Sequence, residues 1–410
     1  MKYNFDEIVP RRHTNSYKWD SAPAGKEVLP LWVADMDFRT APAVVDALER
    51  RVRHGIFGYV RVPDAYYESV SSWFGRRHGW KVEKDWMIYT SGVVPALSAV
   101  IKALTELGDG VLVQTPVYNC FFSSIRNNGC RIVTSPLKYE NRTYHIDFED
   151  LERKTADQSV KLMLLCNPHN PAGRVWTRDE LCRIGEICRK NQVKVIADEI
   201  HCELVFPGHV YTPFASISED HLWNSVTCVS PSKSFNLAGL QIATIIARDE
   251  AVRQRIDRAI NINEVCDVNP FGIEATIAAY NEGEDWLLQL LEYLKGNYDY
   301  LCEFFCMHLP HIPVTQLEGT YLVWTDCRSL NILSETLQSR LLEETGLWLN
   351  SGTMYGAEGE GFLRWNIACP RAVLQDALMR FQGFVRSLGC DVMSAQDTEA
   401  LANVGVRKDV

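Results

Sequence analysis

Between residues 86 and 247 the chain alternates short aliphatic runs with stretches whose apolar positions recur every three or four residues. WMIYT, GVLVQTPVY, CRIVTSPL, VKLMLLC, VKVIADEIH, SVTCVSPSK and QIATIIA are β-rich runs separated by turn or helical stretches. They predict about seven strands in one sheet of the α/β type. After Ser91-Gly92, the apolar residues Leu97, Val100, Ile101 and Leu104 fall at helical spacing. Thr177 followed by Glu180 is a capping box, placed ahead of Leu181, Ile184 and Cys188 on one helical face.

The two ends of the chain follow another pattern. Residues 1–45 are irregular and rich in proline and aromatics, and Thr40 is the expected cap of a helix with Pro42 in its first turn. GIFGYV at 55–60 reads as a loop freed by its two glycines that displays Tyr59, ahead of a helix over YYESVSSWFGRRHGW. Beyond about 275 come a long helix, a hairpin expected over HIPVTQLEGTYLVWTD, the segment GFLRWNIACP, and a helix with Leu374, Leu378, Phe381, Val385 and Leu388 inward. The expected organisation is an N-terminal segment, 1–45, packing with a small domain, 275–390. A large domain covers 46–274, and 391–410 is a tail without an apolar face.

Composition narrows the function. With 410 residues, 46% of them apolar, the chain can bury a large core. A net charge of -10 without a Lys/Arg-rich run excludes a nucleic-acid partner. No apolar run approaches membrane-spanning length and the N-terminus is polar, so no membrane role and a cytoplasmic location are expected. Thirteen cysteines are scattered without a CxxC pair, which predicts small buried residues and no metal.

Four strand ends carry chemistry: Ser91-Gly92, Asn167 to Gly173 (NPHNPAG), Asp198 to His201 (DEIH), and Ser230 to Lys233 (SPSK). Open α/β sheets deliver ligands at such ends. A strand, glycine turn and helix start at Ser91-Gly92 offers free N–H groups to an anion. Lys233, partly buried after its strand, would lose its proton more readily than in water and serve as a nucleophile. Together these motifs resemble the fold type I pyridoxal-phosphate enzymes of the aminotransferase class I/II superfamily, over about residues 30 to 388. Within it WVADMDF, FGY, SGVVPAL, TPVY, NPHNPAG, DEIHCELVF, SKSFNLAGLQ and LRWN are most similar to the cystathionine β-lyase (C–S lyase) branch.

The resemblance implies a large pyridoxal 5'-phosphate domain with a mostly parallel seven-stranded sheet, and a smaller α+β domain built from both chain ends. It implies that Lys233 carries the cofactor and that Asp198 keeps the cofactor's ring nitrogen protonated. Asn170 and His201 would contact the ring substituents and Tyr118 would stack on the ring. Gly92, Val93, Val94, Ser230 and Ser232 would hold the phosphate. Tyr59 would reach the phosphate of a neighbouring subunit, which makes the expected assembly a homodimer with shared sites, Tyr59 standing with Lys233 and Asp198 in the catalytic set. Arg364 would clamp the substrate α-carboxylate, with Asn350 and Asp35 lining the same pocket. Gln241 occupies a position where many transaminases carry an arginine, which points to the lyase branch. The implied activity is α,β-elimination of cystathionine or related S-substituted cysteines, giving a thiol, pyruvate and ammonia. An aminotransferase on the same frame, or a cofactor-binding regulatory protein, is the alternative.

Overall fold

Seven short strands form one sheet in a computed structural model that describes residues 3–22, 26–264 and 267–389. In chain order they are β1 (Met87–Thr90), β2 (Gly110–Val113), β3 (Arg131–Thr134), β4 (Val160–Cys166), β5 (Lys194–Asp198), β6 (Ser225–Val229) and β7 (Ala243–Ile246). Across the sheet the order is β1-β7-β6-β5-β4-β2-β3. β7 runs antiparallel to both neighbours, and the remaining pairs of the sheet are parallel. Six strands therefore end on the same edge, which brings the four motif-bearing strand ends together.

Every residue of β6 is buried and four of five in β5, as a parallel sheet covered by helices on both faces requires. One face packs Val113, Ile196 and Ile245 against Leu97, Val100 and Ile101 of the helix Val93–Leu104. The other packs Met163, Leu165 and Val195 against Leu181 and Ile184 of the helix Arg178–Lys190. That helix starts in the expected capping box, with Thr177 and Glu180 each satisfying the other's backbone N–H.

The smaller domain is a three-stranded antiparallel sheet of β8 (Leu322–Asp326), β9 (Asn350–Ser351) and β10 (Phe362–Asn366), with β10 central. Arg364 on β10 stands between Trp324 and Asn350. The helices Glu284–His308 and Arg371–Ser387 pack together beside it, the second with Leu374, Leu378, Phe381 and Val385 fully buried. Both chain ends contribute, because Leu29–Pro30 pairs in parallel with Leu347–Trp348.

Three local expectations change. The helix Pro42–His54 is capped by Ala41, whose carbonyl accepts from Val44 N, while the Thr40 hydroxyl is buried without a partner among the described residues. Proline's fixed φ suits the first helical position, so the cap falls one residue before it. The hairpin over 311–326 shrinks to a single bridge, Val314 with Thr325. Its backbone is used elsewhere: Gln316 N donates to Arg142 O, Glu318 N to Gly173 O and Thr320 N to Leu204 O, tying this segment to loops of the larger domain. The boundary expected at 274 falls inside the helix Pro270–Glu282, which packs on the helices Pro42–His54 and Asp64–His78. The tail expected over 391–410 lies outside the described residues. Among the described residues no helix is long and apolar enough to cross a membrane.

Candidate active site

β6 runs into Ser230, whose buried hydroxyl donates to Ile242 O at 2.6 Å and accepts from Ser232 N at 3.1 Å. These bonds pin the turn that carries Lys233. The lysine faces a cavity of about 200 Å³ lined also by Gly92, Tyr118, Asn170, Asp198, His201 and Ser232. Its Nζ donates to the carbonyl of Ala34 at 2.5 Å. The same carbonyl accepts from the Tyr321 hydroxyl at 3.0 Å, so one backbone oxygen links the N-terminal segment, the lysine and the small domain.

Burial governs the charges around this cavity. Among the described residues the carboxylate of Asp198, at the end of β5, accepts only the Ile200 N–H at 3.2 Å, and burial pushes it up to about 7 although Lys233 pulls the other way. An almost unpaired buried carboxylate needs a cationic partner or a proton. Burial, aided by the positive charge of Arg364, brings Lys233 down to about 8, against the pull of Asp35 and Asp198. His201 is held well below its ordinary value by burial and by the cations Lys233 and Arg364. It is a neutral imidazole whose Nδ1 has no partner among the described residues. Burial, then Cys120, raises the Tyr118 phenol. Glu199 is occupied by Asn167 Nδ2, the Tyr211 hydroxyl and Phe214 N, a structural role.

The cavity ends at the start of the helix Val93–Leu104. Gly92 precedes it at φ 151°, a conformation that a side chain disfavours, and no side chain caps this end. The first N–H groups of a helix have no intrahelical acceptor, and here those of Val93 and Val94 head the positive end of the dipole. Pro95 brings no third N–H to satisfy. Such an end suits an anion such as phosphate. Gln241, with φ 51°, lines the same cavity.

Arg364 closes the small-domain side. It is 3% exposed, donates from Nη1 to Asn170 Oδ1 at 3.2 Å and from Nη2 to Trp32 O at 2.6 Å, and lies over the Tyr355 ring. Its Nε is buried without a partner, and no carboxylate pairs with it among the described residues. A buried cation without a counter-ion calls for an anionic ligand, and a planar guanidinium fits a carboxylate.

The sequence matches Aminotransferase class I and II over residues 26–381. The chain belongs to this family. It is 43% identical over 382 residues to cystathionine beta-lyase PatB of Bacillus subtilis (strain 168), covering 92% of this chain and 99% of that protein. Cystalysin from Treponema denticola, a structure that contains pyridoxal 5'-phosphate, superposes with a TM-score of 0.92 at 34% identity, covering 95% of this chain and all of that one. The PLP-bound C-S lyase from Staphylococcus hominis superposes with a TM-score of 0.87 at 34% identity, covering 93% and 99%.

In this aminotransferase-family chain the residues singled out by sequence fall in three groups. Lys233, Asp198, Asn170, Tyr118, His201, Gly92, Val93, Val94 and Ser232 line one cavity, and Arg364 adjoins it through Asn170. Ser230 lies behind the wall with its hydroxyl proton given to Ile242 O, so it fixes Ser232 where direct contact with an anion was expected. Asn350 likewise braces the arginine's surroundings, donating to Trp32 O at 2.8 Å and to the Tyr355 hydroxyl at 3.0 Å. Asp35 faces a neighbouring cavity on the other side of Lys233, and Tyr59 is 95% exposed on its loop. Sequence reasoning passed over Ala34, Tyr321 and Tyr355. A backbone carbonyl has no residue signature, and the two tyrosines sit in runs indistinguishable from core aromatics.

Proposed function

We propose that this chain is a pyridoxal-phosphate-dependent C–S β-lyase that cleaves cystathionine or related S-substituted cysteines. The observation that carries the reading is the opposition of Lys233 and the nearly unpaired Asp198 in one buried cavity, with the uncompensated Arg364 beside it. Likeness along nearly the whole chain to a cystathionine beta-lyase and to C-S lyase structures supports the reaction class.

The residues fit the cofactor. Asp198 would answer a pyridinium cation, and the N–H groups of Val93 and Val94 with the Ser232 hydroxyl would hold a phosphate, with Ser230 fixing Ser232. Tyr118, Asn170 and His201 line the same cavity, where Tyr118 would offer its ring face and Asn170 and His201 polar atoms to the cofactor. When bound, pyridoxal phosphate supplies an electron sink for bond cleavage at the substrate α-carbon.

Arg364 binds the α-carboxylate and thereby orients the Cα–H bond toward Lys233. Lys233, with its basicity lowered to near neutrality, takes the Cα proton at Nζ. The neutral His201 adds no competing positive charge. The Cβ–S bond then breaks, the thiolate leaves, and with one water the remaining atoms end as pyruvate and ammonia. From cystathionine the thiol is homocysteine.

We further propose a cytoplasmic homodimer with shared sites. Exposed Ile56, Phe57 and Tyr59 on one loop support it, since an apolar loop of this kind suits burial against a second copy. Incubation of the holoenzyme with L-cystathionine and no keto acid tests the activity. Pyruvate with free thiol is the expected result, and a strict requirement for a keto acid would assign the protein to transamination.

A further inference from the structure

Lys233 stands between two cavities. Beyond the inner one lies an outer cavity of about 500 Å³ lined by Arg11, Tyr17, Asp35, Phe38, Arg39 and Asn236 among others. Ala34, Lys233 and Ala238 border both. With the cofactor in the inner cavity and the substrate α-carbon at Lys233, the outer cavity is the space left for whatever extends beyond the sulfur.

Its wall carries an ionic quartet. Arg11 Nη2 meets Asp35 Oδ2 at 2.7 Å and Nη1 meets Asp37 Oδ1 at 2.7 Å, while Lys18 Nζ meets Asp37 Oδ2 at 2.8 Å and Asp35 Oδ1 at 3.6 Å. The inner half is closed: Lys18 is 0% and Asp37 5% exposed, and Asp37 also accepts the Trp19 indole N–H. That half fastens the N-terminal arm to the loop over Lys233. The outer half, Arg11 at 21% and Asp35 at 20% exposed, faces the cavity as a two-bond pair, Arg11 Nη1 also reaching Asp35 Oδ1 at 3.2 Å, with one charge of each sign side by side. The quartet is neutral overall, so a singly charged group meets attraction and repulsion together, whereas a zwitterion satisfies both members.

We infer that the outer cavity is a subsite for the far end of the thioether, and that Arg11 and Asp35 recognise a zwitterionic α-amino-acid group there, carboxylate to Arg11 and ammonium to Asp35. This rests on the β-lyase reading and names the substrate class within it.

The test compares pyruvate formation by wild-type, Arg11→Gln and Asp35→Asn holoenzymes from L-cystathionine, S-(3-carboxypropyl)-L-cysteine and S-propyl-L-cysteine. The readout is the ratio of kcat/KM values, which cancels any general loss in a variant. The wild-type enzyme is expected to prefer cystathionine to S-propylcysteine, and each substitution to cut that ratio at least tenfold. The carboxypropyl substrate, which lacks the ammonium, is expected to lose its advantage over S-propylcysteine in Arg11→Gln and keep it in Asp35→Asn. No wild-type preference, or ratios unchanged within twofold in the variants, overturns the subsite while leaving the lyase reading standing. Pyruvate from none of the three thioethers with wild-type enzyme overturns both. Should Arg11→Gln fail to fold, the wild-type preference and Asp35→Asn decide the matter.

Discussion

Arg364 Nη1 and Asn170 Oδ1 meet at 3.2 Å across the two domains, one residue from the central strand of the small sheet and the other from the loop after β4. The bond aligns the guanidinium without neutralising it, because an amide oxygen carries no full charge. Arg364→Gln is expected to raise KM for the amino-acid substrate by roughly 100-fold, about 3 kcal/mol, and Arg364→Lys to recover little of it. Steady-state kinetics check this, and an unchanged KM in Arg364→Gln denies the clamp.

Lys233→Ala is expected to lower the elimination rate by roughly 10³-fold or more while far-UV circular dichroism stays that of the wild type. Turnover close to wild type in this variant would remove Lys233 from the chemistry.

In its proposed role the lysine acts as a base only when unprotonated. The rate at saturating substrate should therefore rise with pH toward about 8 and level above it. Arg364 lowers the lysine's affinity for protons and Asp35 raises it. In Arg364→Gln the rising limb should move to higher pH, and in Asp35→Asn to lower pH. A pH–rate profile that stays fixed in both variants would contradict this assignment.

Asp198 ties folding of the cofactor-stripped protein to pH. Burial pushes its carboxyl up to about 7 in the folded chain, above the ordinary aspartate value of 3.8, so between these values the folded state holds the extra proton. That stabilising contribution is present below about 4 and is lost as pH rises through about 7. Asp198→Asn removes it, while Glu199, also pushed up to about 7 by burial, remains in both proteins. The stability of wild type relative to Asp198→Asn should fall between pH 5 and pH 8 in thermal melts of the apoproteins. A constant difference would show that burial does not govern this carboxyl.

Shared sites have a genetic signature. In the proposed homodimer with shared sites, co-expressed Tyr59→Ala and Lys233→Ala chains would form mixed dimers with one doubly defective site and one intact site, so the mixture should reach about a quarter of wild-type activity when half the dimers are mixed. Activity no higher than the average of the two parents would place Tyr59 outside the neighbouring site.

Much of this was legible along the chain because periodicity and strand ends are local properties. The seven strands of the main sheet, the Thr177 capping box and the clustering of Gly92, Asn170, Asp198 and Lys233 all follow from runs of a few residues. What escaped depends on partners far away in sequence. The hairpin over 311–326 shrank to the bridge of Val314 with Thr325 because Gly173, Leu204 and Arg142 take its intervening backbone, and no local pattern announces that competition. Ser230 has the residue type of a phosphate ligand, and only the carbonyl of Ile242 shows its hydroxyl to be taken. The fully buried Lys18 sits in a short polar-aromatic segment, YKWD, whose composition suggests surface.

The parallel pairing of Leu29–Pro30 with Leu347–Trp348 gives the protein a timetable during its synthesis. At roughly 5–20 residues per second, the first thirty residues wait tens of seconds outside the ribosome before their partner strand exists. The seven-stranded sheet, complete by Ile246, can assemble in that interval. A bulky fusion at the amino terminus would then hinder the last stage of maturation, the seating of the arm over an already formed sheet.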